Sequence, residues 1–115
     1  MLWSEVIKAL QAQTLVESDD FDVKNFAAAD LLSDILASSK DDFVILTGQT
    51  SPQAIRTAVA VGALGVMIVR GKQAPAESVS VARSHGVPLA STQMKMFESC
   101  VILGGLLWNS PSSKS

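Results

Sequence analysis

Residues 43–92 read FVILTGQTSPQAIRTAVAVGALGVMIVRGKQAPAESVSVARSHGVPLAST, and the alternation within this stretch decides the fold. Phe43–Leu46, Val66–Val69 and Val87–Ala90 are short apolar runs, each followed by a polar loop and then by a helical pattern. Apolar runs without period-two alternation are expected of strands covered on both faces, as in a parallel sheet. Strands separated by helices mean crossover units. The punctuation agrees. Ser51-Pro52 is a cap followed by proline at the first helical position. Ile55, Ala58, Val59 and Gly62 then fall on one helical face. Pro75 opens the next helix, which runs through His85; Gly86 ends it and Pro88 forbids continuation. Ser91 or Thr92 is the expected cap of a last helix. The predicted fold is α/β: a three-layer α/β/α domain with a mostly parallel sheet.

Outward from this core the signals are shorter. Residues 4–10 read as a helix capped by Ser4, with Val6, Ile7 and Leu10 on one face. Thr14–Val16 reads as a brief strand, Glu17–Asp22 as an acidic turn, and Val23–Ala29 as a further strand. Asp30 is the expected cap of a helix over LLSDILASS. The last helix carries two apolar stripes, Met94, Phe97, Val101 and Trp108 on one and Met96, Cys100, Leu103 and Leu107 on the other. An outer helix of a layered domain needs only one apolar side. The second stripe is therefore expected to form a homodimer interface through Met96, Cys100, Leu103 and Leu107. The alternative is cover by the N-terminal helix and Trp3. Residues 1–108 are expected to form a single domain, and 109–115 a disordered polar tail.

Composition narrows the function. The chain has 115 residues, 48% of them apolar and 17% charged, with a net charge of −2. No basic footprint suits nucleic acid. One cysteine and one histidine exclude an internal disulfide and a structural zinc site, and no metal or other cofactor is expected. The longest apolar run, Cys100–Trp108, falls far short of the ~20 residues that span a bilayer. The N-terminal residues lack a secretory pattern, and the expected location is cytoplasmic.

Ligands of parallel sheets sit beyond the carboxyl ends of the strands. That places a candidate site on three loops: Thr47, Gly48, Gln49, Thr50 and Ser51; Arg70, Gly71 and Lys72; and Ser91 with Thr92 and Gln93. The first combines a glycine, hydroxyls and a helix N-terminus, the parts of an anion site. It is not a P-loop, because no lysine follows the glycine at that spacing. The plainer reading is a well-capped turn. Arg70 and Lys72 can neutralise a phosphate on the same rim or stand simply solvated. Asp30 and Asp34 read as a cap and a helix-dipole partner rather than a magnesium pair. His85 ends a helix that returns antiparallel to its strands, which places it at the opposite rim from the loops and out of reach of any nucleophile there. Cys100, on an apolar stripe, reads as a core or interface residue.

The run ADLLSDIL…ILTGQT…ALGVMIVRG…GVPL resembles the DRTGG domain in its stand-alone form, over about residues 2–108. Gln49-Thr50 stands where that family has Asp-Arg, and Val69-Arg70-Gly71 where it has Thr-Gly-Gly, so Gly71 alone is retained. The resemblance implies a fold similar to the N-terminal domain of HPr kinase/phosphorylase, which is not its catalytic part. It also implies a regulatory or dimerising role, as where such domains accompany CBS domains. The expectation is a non-catalytic, ligand-sensing dimerisation module that takes a small anionic ligand such as an adenine nucleotide on the strand-end loops. The alternative is a protein-interaction subunit that docks on a larger enzyme through the apolar C-terminal helix.

Overall fold

Four strands, β2 (Asn25–Ala28), β3 (Phe43–Thr47), β4 (Gly65–Ile68) and β5 (Leu89–Ser91), lie side by side in chain order and point the same way. A fifth, β1 (Gln13–Val16), pairs antiparallel with β5 and closes the far edge. This computed structural model describes residues 1–38 and 40–109. Ser39, the side chains of Trp108 and Asn109, and residues 110–115 lie outside the described residues, as do the expectations of Trp108 on an apolar stripe and of a disordered tail over 109–115.

The helices explain why the two central strands, β3 and β4, hold only one polar residue, Thr47. α2 (Leu32–Ala37), α3 (Pro52–Ala60) and α4 (Ala76–Ser84) cover one face, where Ile35, Ile55, Ala58, Val81 and Ala82 pack on Phe43, Ile45, Val66, Ile68 and Leu89. α1 (Trp3–Ala9) and α5 (Met96–Asn109) cover the other, where Trp3, Val6, Leu10 and Leu103 pack on Val44, Leu46, Met67, Val69 and Ala90. Alternate residues of β3 thus feed two separate cores, and all five of its residues are buried. The edges are managed. Lys40 Nζ donates to the Phe26 carbonyl of β2 at 3.1 Å, and β1 changes register between Thr14 and Val16.

Three expectations at helix starts need correction. Leu2, not Ser4, precedes α1; its N–H donates to Glu5 Oε1 at 2.8 Å, while the Ser4 hydroxyl donates to Asp20. Leu31, not Asp30, precedes α2, because the Asp30 carboxylate is drawn to the neighbouring strand-end loop. α5 begins at Met96, beyond both Ser91 and Thr92. The cap of α3 is as expected: Ser51 Oγ accepts from Ala54 N at 3.1 Å, with Pro52 at the first position.

The expected interface stripe of α5 also needs correction. Leu103 is 1% exposed and Met96 packs on the same core, so the fold itself uses this stripe. Cys100 and Leu107 are half-buried and line a groove of about 260 Å³ against Phe26, Ala28 and Leu46. The stripe turned outward is the other one: Phe97 is 78% and Val101 56% exposed. Periodicity registers two stripes but not which one the sheet needs. α1 is too short to cover Val44, Leu46, Met67 and Val69 alone.

This orientation predicts opposite effects for two truncations. Leu103→Ala should cost about 2–5 kcal/mol in urea unfolding, as for a buried leucine. At concentrations where the chain is monomeric, Phe97→Ala should fall within about 0.5 kcal/mol, as for a surface change.

Candidate ligand site at the strand ends

Parallel register gathers the loops. Thr47 lies beside Ile68, and Ile68 beside Ser91. Beyond the strands the backbone pairing continues: Val69 N donates to Thr47 O at 2.9 Å, Thr92 N to Ile68 O at 2.8 Å, Gly71 N to Thr92 O at 2.8 Å, and Arg70 N to Met94 O at 2.7 Å. Ala29 N donates to Leu46 O at 3.0 Å, which brings Asp30 to the same rim. The expected residues therefore share one edge, but they divide into two halves of different character.

The β3 half is occupied with its own fold. Thr47 is buried, and its Oγ1 accepts from Gln49 N at 3.0 Å. Gly48 N donates to Asp30 Oδ1 at 2.7 Å, and Gln49 Nε2 donates to the Asp30 carbonyl. Ser51 caps α3, and the Thr50 carbonyl accepts from the buried Ser78 hydroxyl. This is the well-capped turn, the plainer of the two readings. Thr92 is likewise withdrawn: it is buried, and its hydroxyl donates to Leu10 O at 2.6 Å and accepts from Met94 N at 3.2 Å. Thr47 and Thr92 thus brace the rim and do not face a ligand.

The β4–β5 half is open. Arg70 and Gly71 both take left-handed backbone, with φ of +68° and +64°. For arginine that conformation costs about 1–2 kcal/mol, and the two backbone bonds from this turn hold it in place. A Cβ on Gly48 would stand 2.7 Å from Arg70 Nη2 and 3.1 Å from Asp30 Oδ1, so the guanidinium rests over Gly48 close to that carboxylate. A Cβ on Gly71 would collide with the Gln93 side-chain amide. Next to this turn lies a cleft of about 360 Å³. Gly71, Lys72, Gln73, Ser91, Gln93 and Gln13 line it, with Leu15, Ala74 and Val79 as its apolar wall. Among the described residues, no protein hydrogen bond or ion pair engages the side chains of Gln13, Lys72, Gln73, Ser91 or Gln93.

The sequence pattern missed Asp30, Gln13 and Gln73. Asp30 follows the end of β2 much as Gly48 follows β3, a signal hidden by its plausibility as a cap. Gln13 reaches the cleft only because β1 pairs with β5, placing Gln13 beside Ser91, and nothing local announces that pairing.

Other candidates stand apart. His85 follows α4 at its C-terminal end, with Nδ1 3.0 Å from Val81 O, at the rim opposite the loops. Among the described residues, no three His, Cys, Asp or Glu side chains gather where they could hold a metal ion, and no helix is long and apolar enough to cross a membrane. A cleft of about 330 Å³ between α1 and the acidic turn is lined in part by Ser4 and Asp20, which bond each other. That bond from the Ser4 hydroxyl holds the Asp20 carboxyl below its usual range. Burial pushes the Cys100 thiol up.

Neither the protein-family models nor the curated proteins compared with this sequence match it. Among solved structures, the fold is similar to the CBS and DRTGG domains of the regulatory region of Clostridium perfringens pyrophosphatase, complexed with its activator diadenosine tetraphosphate. The TM-score is 0.72 at 10% sequence identity, covering 88% of this chain and 45% of that one. This chain thus spans about half the length of that neighbour. The likeness establishes the α/β fold.

Two outcomes follow from this geometry. Thr92→Val strands the Leu10 carbonyl and the Met94 N–H, and should cost about 1–3 kcal/mol in chemical denaturation, whereas Thr92→Ser should cost much less. Cys100 should alkylate more slowly in the folded chain than in urea at neutral pH, because the folded thiol keeps its proton beyond the ~8.5 of a free cysteine. The raised thiol pKa favours the fold below the unfolded value, and that contribution fades as pH rises through the folded one. Equal alkylation rates would contradict this placement.

Proposed function

We propose that this chain is a non-catalytic regulatory module that binds a small anionic ligand, an adenine nucleotide being the leading class, on the β4–β5 rim. The observation that carries the reading is the cleft beside Arg70 and Lys72, where polar side chains without duties in the fold converge. Cation and amide donors on a rigid rim recognise phosphate and leave the chemistry of bond cleavage unserved. Asp30, the carboxylate of this rim, is held by Gly48, and the histidine lies at the other end of the sheet. The solved neighbour, a regulatory region bound to a nucleotide activator, supports the same class of role.

Transmission has a short path. Arg70 N and Gly71 N bond to the segment Thr92–Met94, which leads directly into α5. The outward side of α5 presents Phe97 and Val101, with Gly104 open on the same side for close approach of another backbone. We assign this side, rather than the stripe of Met96 and Leu103, to pairing of two copies, with Cys100 and Leu107 at its margin. A larger enzyme docked on the same stripe is the second reading.

In a thermal-shift measurement, AMP, ADP or ATP at a hundred times its Kd should stabilise the chain by about 2.7 kcal/mol, a rise of several degrees. Lys72→Ala should remove most of that rise without unfolding the protein. No rise with any of the three at millimolar concentration would count against the site. By light scattering, Phe97→Asp combined with Val101→Asp should convert dimers to monomers; an unchanged dimer mass would reject this stripe as the interface.

A further inference from the structure

Granting that the β4–β5 rim is the ligand site, its lining also specifies the ligand. We propose that the cleft takes a nucleoside monophosphate whose base presents a donor beside an acceptor, as adenine does, and that it disfavours polyphosphates. The base edge is read by the amides of Gln13, Gln73 and Gln93, and the single phosphate sits on Lys72.

Three observations lead there. The first is the kind of polar group. A site built for charge alone would be lined by donors; a glutamine amide offers a donor and an acceptor side by side, which suits the edge of a neutral heterocycle. Glutamine pairs with the adjacent donor and acceptor of adenine in this bidentate way. Three such amides line one cleft, together with a serine hydroxyl and no carboxylate. Val79, Leu15 and Ala74 supply apolar surface for a flat ring.

The second is the charge count. Lys72 is the one cation that lines the cleft among the described residues. Arg70, on the same turn, rests over Gly48 and does not line the cleft. One free ammonium balances one phosphate group and leaves a triphosphate largely uncompensated. The third is size. At about 360 Å³ the cleft lies at the small end of the roughly 300–1,000 Å³ of small-molecule sites.

Isothermal titration calorimetry on the full chain decides it, with AMP, adenosine, ATP and inorganic phosphate as separate probes. AMP should bind at least tenfold more tightly than each of the others. Gln73→Leu and Gln93→Leu should each weaken AMP about tenfold while the melting temperature stays within a few degrees. ATP or inorganic phosphate binding as tightly as AMP would overturn this inference and leave the rim as a general anion site. AMP affinity unaltered by both glutamine changes would overturn it as well. Heats at baseline for all four probes would overturn both this inference and the site on which it rests.

Discussion

Parallel pairing of β2, β3, β4 and β5 is the constraint from which the rest follows. Four strands running the same way must be joined by three returns across a face of the sheet. Here α2, α3 and α4 make those returns over a single face, and α1 and α5 cover the other. The central strands β3 and β4 are therefore buried on both sides, which is why Phe43–Thr47 holds one polar residue and why that residue, Thr47, turns its hydroxyl to its own loop. The same constraint sends every strand end to one rim. Asp30, Gly48, Arg70 and Thr92 meet there although as many as 62 residues of chain separate them.

Along that rim the fold sets a gradient. At β2 and β3 the polar groups bond each other: the Asp30 carboxylate and carbonyl take the donors of Gly48 and Gln49, and Ser51 caps its helix. At β4 and β5 the backbone is locked while the side chains stay free. Arg70 and Gly71 hold left-handed conformations through bonds to Met94 and Thr92, and Thr92 is anchored in turn to Leu10 at the end of α1. A rigid backbone beneath uncommitted side chains is a preorganised arrangement, since little further ordering is needed to receive a ligand. The strain at Arg70 belongs in this picture, because an unfavourable backbone persists only where its surroundings fix it.

Much of this was legible in the sequence. The three apolar runs, the Ser51-Pro52 cap and the Gly86-Val87-Pro88 stop announce local physics, and the parallel rim follows from them. What stayed hidden depends on distant partners. Asp30 makes as good a helix cap as a loop acceptor, and only the proximity of Gly48 decides between them. The antiparallel pairing of β1 with β5 brings Gln13 to Ser91 across most of the chain. The two stripes of α5 are equally apolar, so the sheet's unmet need for cover, rather than periodicity, selects Leu103 for the interior and leaves Phe97 outside.

The account stands on the β4–β5 cleft being where a ligand lands. Titration of the ¹⁵N-labelled chain with AMP, followed by amide chemical shifts, tests this most directly. The account predicts a contiguous set of shifting amides at 70–73, 91–93 and 13–15, with a weaker trail through 94–97 into α5. Shifts confined to the α1 surface or to the turn at 48–51, with the β4–β5 amides unmoved, would contradict it.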